Sequence, residues 1–108
     1  MSEHPYTPDY AVHPGGVIAE MLEEAGMKQA HLAGACRVSP KHMNLVIHGH
    51  APLHAEMAVA IEIAMGKRVA HVLMRMQSDY DVFQERAKMK DHAAAVGALY
   101  VALAGEDK

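Results

Sequence analysis

The sequence predicts an all-α fold: five short helices in one bundle, followed by an additional C-terminal helix. Three observations predict it. Apolar residues make up 51% of the 108 residues but aromatics only 5%, so Ala and nine Met supply the apolar surface. Ala and Met are good helix formers, and the residues that favour strands are sparse. Apolar positions recur at helical spacing along most of the chain. The breaks between these segments are only a few residues long and carry Gly, Pro and Ser, which suits one compact bundle.

Residues 1–15 contain Pro5, Pro8 and Pro14 and read as an extended N-terminal arm. The domain proper is expected over 16–88 and a helical extension over 89–108. The first helix is expected from about Gly16, with Val17, Ile18, Met21 and Leu22 on one face and Gly26 as its stop. A second helix is expected from about Lys28 to Cys36, burying Leu32, Ala33 and Cys36. Ser39-Pro40 then marks a helix start, with Ser as N-cap and Pro at the first helical position, where its missing N–H costs nothing. The third helix should run from Pro40 to about His48, burying Met43, Val46 and Ile47, and stop at Gly49. The fourth should cover about His54 to Met65, with Met57, Ile61, Ala64 and Met65 inward and Gly66 at its end. The fifth is expected from Lys67 or Arg68 to Lys88 or beyond, with Val69, Val72, Leu73, Met76, Tyr80 and Phe83 as its apolar stripe. A last helix is expected over about His92 to Leu103. Its segment AAAVGALYVALAG is too apolar to remain in water alone.

Net charge is −3, but it is unevenly spread. Between Glu24 and Glu56 there is no acidic residue, and that window holds Lys28, Arg37 and Lys41 with five of the nine His. A small chain with one acid-free third can present a phosphate-facing side despite its overall sign. One cysteine excludes an intramolecular disulfide framework and fits a reducing cytoplasm. No secretory signal and no spanning helix are expected.

Two short helices at 28–36 and 40–48, joined by about three residues, outline a helix-turn-helix. Counted from Gln29, small Ala33 is fifth, where the helices cross. Leu32, Cys36, Val38, Met43 and Val46 hold the positions that must be apolar. Position nine, which favours φ > 0 and hence Gly, is Arg37. Keeping that backbone would cost about 1 kcal/mol, so an altered turn is expected.

The outward positions of the third helix carry the candidate DNA-binding residues. Lys41 can donate to guanine O6 and N7, Asn44 can pair with adenine N6 and N7, and Leu45 can meet a thymine methyl. Ser39, Pro40, His42 and His48 lie on or beside this face, and the helix N-terminus suits a phosphate. Lys28 and Gln29, at the start of the second helix, are placed for backbone phosphates.

The histidine-rich stretch HMNLVIHGHAPLH at 42–54 does not read as a metal site. Zinc needs three or four convergent ligands, and Gly49 and Pro52 place His48, His50 and His54 on a loop. No catalytic arrangement and no cofactor are expected, since no nucleophile lies at useful spacing from a base. Imidazoles near phosphate gain charge as pH falls towards 6.5, so DNA affinity is expected to rise from pH 8 to pH 6. Cys36 and most of the Met are expected in the core. Met76, Tyr80 and Phe83 are candidate dimer-interface residues on the long fifth helix.

Residues 13–88 resemble the HigA-type antitoxins of the XRE, lambda-repressor-like helix-turn-helix family. The resemblance rests on His13-Pro14-Gly15, the motif from Gln29 to Gly49, Glu56-Met57-Ala58, Gln77 and Tyr80-Asp81. The chain departs from the family at Gly16, where Glu is frequent, at Arg37 for Gly, at His48 for Asn, and at Leu45, where a second basic residue is frequent. The resemblance implies a five-helix lambda-repressor-like domain and a homodimer. It also implies binding to an inverted-repeat operator and neutralisation of a RelE-like, HigB-type toxin that cuts mRNA. Alternatives are a stand-alone repressor without a toxin, or a protein-interaction module that no longer reads DNA.

Overall fold

Helix α1 spans Gly15–Ala25 and ends at Gly26, whose φ of 65° closes the helix through bonds to the carbonyls of Leu22 and Glu23. In a computed structural model, residues 11–106 are described, without the side chains of residues 91, 93, 105 and 106. The arm expected over residues 1–15 falls outside them as far as residue 10. Helices α2 (Gln29–Ala35), α3 (Pro40–Ile47), α4 (Ala55–Met65), α5 (Ala70–Lys88) and α6 (Lys90–Glu106) follow, and the described residues contain no strand.

The core is a single cluster. Ile18, Leu32, Met43, Val46, Leu53, Ile61 and Leu73 are essentially inaccessible and come from α1 to α5 and the α3–α4 loop. Each such side chain contributes roughly 1.5–3 kcal/mol of burial. Helix α2 lies on α3 and α4, α1 on α3, and α4 on α5. Close passage of α1 over α3 depends on Gly15. A Cβ there would run into the backbone carbonyls of Val46 and Ile47, at the end of α3.

Three expectations from the sequence are corrected. First, the α2–α3 turn is not altered. Arg37 adopts φ 58°, the left-handed value for which the position favours Gly. The turn persists because its bonds are made regardless of the side chain: Arg37 N–H to Gly34 O and Val38 N–H to Ala33 O. Arg37→Gly is therefore expected to raise stability by about 1 kcal/mol, read as a higher denaturation midpoint. It should also weaken any DNA contact that this exposed guanidinium makes.

Second, α5 starts at Ala70, not at Lys67 or Arg68, because its first N–H is taken by Glu62 Oε1 from α4 at 3.0 Å. Val72 is 58% exposed, although the apolar stripe places it inward. Third, α6 runs from Lys90 to Glu106, longer than the 92–103 expected, and only Met89 separates it from α5. Every residue of α6 whose side chain is described is exposed.

Candidate nucleic-acid interface

Helix α3 is started by its own sequence. Ser39, in an extended conformation, accepts the His42 N–H on Oγ at 3.0 Å, and Pro40 occupies the first helical position. Pro has no N–H, so the Lys41 N–H remains at the positive end of the helix, next to the Lys41 ammonium.

The outward stripe of α3 follows from helical spacing. Met43 and Val46 are buried, and Lys41, Asn44, Leu45 and His48 recur at three- and four-residue steps on the opposite side. Lys41, Asn44 and His48 are exposed and Leu45 is half-buried. His48 Nδ1 lies 2.9 Å from Asn44 O. A carbonyl only accepts, so Nδ1 carries the proton and neutral Nε2 is left to accept from a donor such as a base amino group.

His42 sits apart from this stripe. It is half-buried and lines a notch of about 160 Å³ with Cys36, Arg37, Val38, His54, Glu56 and Met57. Ser39 and Pro40 are exposed at the start of α3. Lys28 is the N-cap of α2 with an exposed side chain, and Gln29, half-buried, is its first residue. The geometry thus brings Ser39, Pro40, Lys41, Asn44, Leu45 and His48 onto one helix, with Lys28 and Gln29 at the start of its neighbour.

Cys36 is buried, and burial pushes its thiol pKa up, the opposite of what a reactive thiolate needs. Among the described residues, no group of three or more His, Cys, Asp or Glu converges as a metal site would.

The sequence-based reading missed the polar network behind α3. Gln77 is 3% exposed, and no other polar side chain among the described residues is as buried. Its Oε1 accepts the Leu53 N–H at 2.7 Å and its Nε2 donates to Asp81 Oδ1 at 2.8 Å. His13 lies close by: Nδ1 accepts the Gly15 N–H at 2.9 Å, and Nε2 is 3.1 Å from Ala51 O. The ring stands edge-on to Tyr80, centroids 5.0 Å apart. A Gln on the apolar stripe of α5 was the available signal, because a buried amide must have partners.

Solved structures share the fold of this chain. An antidote protein of a plasmid maintenance system from Nostoc punctiforme has a TM-score of 0.68 at 24% identity, over 81% of this chain and 94% of that one. PA4674 of Pseudomonas aeruginosa, in complex with its 28-base-pair operator DNA, has a TM-score of 0.65 at 26% identity over 75% and 89%. The P. aeruginosa antitoxin HigA with the higBA promoter has a TM-score of 0.67 at 26% identity over 76% and 89%. The fold of this chain is that of the HigA-type helix-turn-helix antitoxins. No family model matches the sequence, and no curated protein does.

Of the departures, Arg37 lies in the α2–α3 turn, Leu45 on α3 and His48 at its end, whereas Gly16 lies in α1. The backbone tolerates Arg37 in the left-handed turn. Position 45 is Leu, so the positive groups of α3 are Lys41 and the N-terminal end of the helix dipole.

Proposed function

We propose that this chain is a DNA-binding antitoxin and autorepressor. As a dimer it would read an inverted-repeat operator through α3 and neutralise a RelE-like, HigB-type mRNA-cutting toxin. The observation that carries the reading is the exposed Lys41–Asn44–Leu45–His48 stripe. It lies on a capped helix inside the acid-free third of the chain, in a fold that two relatives at 26% identity use with operator or promoter DNA. Lys28, Gln29, Ser39 and Pro40 would bind phosphates, and Lys41, Asn44 and Leu45 would meet base edges. No catalytic role and no cofactor are proposed. No described helix is long and apolar enough to cross a membrane, and operator binding would place the chain in the cytoplasm.

A C2 dimer would present two copies of α3 to successive major grooves about 34 Å apart. Of the interface candidates, Met76, Tyr80 and Phe83 are half-buried in their own chain, and Tyr80 is partly engaged by His13. A more open seam runs from α5 into α6. Val82, Met89, Val96 and Leu103 follow one another at seven-residue intervals, and each is about half exposed at 45–53%. A heptad of apolar side chains is what a helix presents to a second helix. Val82 and Met89 also line one shallow groove of about 480 Å³ with Asp81, Glu85, Arg86 and Lys90.

We therefore place the dimer seam along α5 and α6, with a second copy as occupant. Val96→Lys with Leu103→Lys changes two exposed positions, so folding should persist. The dimer dissociation constant should rise at least about tenfold, read by sedimentation at several concentrations. An unchanged dissociation constant would move the seam elsewhere.

The rival reading, a repressor without a toxin, is separated by the neighbouring gene. A small basic RelE-like open reading frame next to this one, whose product binds the purified chain, supports the antitoxin reading.

A further inference from the structure

The loop that leaves α3, residues 49–53, is held from two sides. On one side Gln77 of α5 takes the Leu53 N–H. On the other, His13 takes Ala51 O with Nε2 and the Gly15 N–H with Nδ1. Gly15 in turn lies against the carbonyls of Val46 and Ile47, the last turn of α3. The end of α3 is thus fastened to α1 and α5 through one amide and one imidazole.

The chemistry of these bonds selects a single form of His13. Ala51 O can only accept, so Nε2 must carry a proton. The Gly15 N–H can only donate, so Nδ1 must offer its lone pair. The neutral Nε2–H tautomer makes both bonds. An imidazolium makes one and turns an N–H against the other.

We infer that His13 and Gln77 are positioning residues for DNA reading, and that His13 seats α3 only while neutral, so that acidification loosens the recognition helix. This rests on the DNA-binding reading proposed above. Burial lowers the His13 pKa below the ordinary imidazole value, outweighing the Ala51 bond and the Asp81 charge, which raise it. The titratable groups that face the His13 ring across a cavity of about 250 Å³ are His50 from the loop and Tyr80 and Asp81 from α5. Asp81 is already committed to Gln77 Nε2, and a charged His50 would add repulsion.

The sign follows from linkage. A depressed His pKa means that the unfolded chain binds the proton more readily than the folded one. The strap is intact above about pH 6.5, the unperturbed value, and is lost as pH falls through the lower folded value. This opposes the gain in DNA affinity expected from surface imidazoles, so the two effects must be separated by a variant.

His13→Asn does so. Asn can still accept the Gly15 N–H, but it does not titrate. Affinity for duplex DNA taken from the region upstream of the chain's own coding sequence is measured from pH 8 to pH 5.5 at fixed salt. Hydrogen exchange at the Leu53 and Gly15 amides of the free protein is measured alongside. The ratio of wild-type to His13→Asn affinity should fall with acid by up to about tenfold per pH unit. Leu53 and Gly15 should lose protection in the wild type over the same range.

Gln77→Glu alone sets a carboxylate against Asp81 and should weaken binding. Adding Asp81→Asn restores a donor–acceptor pair and should recover it. An affinity ratio constant with pH, or protection that does not change with acid, overturns the proposal. If the wild type binds no duplex at any pH, the DNA-binding reading fails, and the exchange profile still decides whether His13 governs the strap.

Discussion

Replacing Lys41 and Asn44 together by Ala is expected to abolish specific operator binding while leaving the fold intact. Both side chains are exposed, and neither contributes to the core. The Ser39 cap and Pro40, which start α3, are untouched, and Ala is the better helix former at both positions. Stability should therefore change by no more than about 0.5 kcal/mol.

Binding should respond very differently. A bidentate contact between a side chain and a base is worth about 1–3 kcal/mol of discrimination. Losing two lowers specific affinity by at least about 30-fold. Lys28→Ala should instead weaken binding to all sequences and flatten its salt dependence, as loss of a phosphate contact does. Gel shifts with the natural and a scrambled upstream duplex, beside thermal melts, distinguish the two patterns. Unchanged binding by the double variant would remove α3 as the reading helix.

Gly15→Ala is expected to be the most damaging single-methyl change in the chain. Helix propensity alone favours Ala over Gly by about 1 kcal/mol. Against that, the new Cβ would meet the carbonyls of Val46 and Ile47. These are backbone atoms and cannot rotate away, so α1 or the end of α3 must move. Overpacking of this kind costs about 1–3 kcal/mol and sometimes more. Sterics should win, with a net loss near 2 kcal/mol, or about 10 °C in melting temperature. Because the carbonyls belong to α3, the proposed reading helix, DNA affinity should fall beyond what instability explains. Gly16→Ala is the matched control, since its Cβ would meet nothing within 4 Å. It should be neutral or stabilising. Equal melting temperatures for the two variants would show that the α1–α3 approach is not tight.

The elements that were legible in the sequence are those written in local chemistry. Ser39-Pro40 marks a helix start in any context, and the glycines at 26 and 66 take the left-handed conformation that closes α1 and α4. The periodic apolar residues of α1 to α4 locate the core, and Lys41, Asn44 and Leu45 follow from the register of α3. What the sequence hid depends on partners distant along the chain. Glu62 delays α5 by taking the Ala70 N–H across the α4–α5 turn. Arg37 is a local exception: its left-handed turn is closed by Arg37 N–H to Gly34 O and Val38 N–H to Ala33 O, bonds that any side chain permits. His13 stands out in the sequence only by resemblance, and its role appears when the fold brings Ala51 and Tyr80 to it. Gln77 breaks the stripe of α5 for a reason located at Leu53.

The central claim is that α3, presented twice by a dimer, reads the operator of the chain's own gene. It is tested most directly by titrating the purified chain into the upstream duplex at near-physiological salt and measuring affinity, stoichiometry and footprint together. Nanomolar binding, typical of specific operators, is expected, with two protomers per inverted repeat. The half-sites should lie about one helical turn apart, with protection centred on their major grooves. Equal affinity for the natural and scrambled duplexes, or a single protomer bound without symmetry in the footprint, would contradict it.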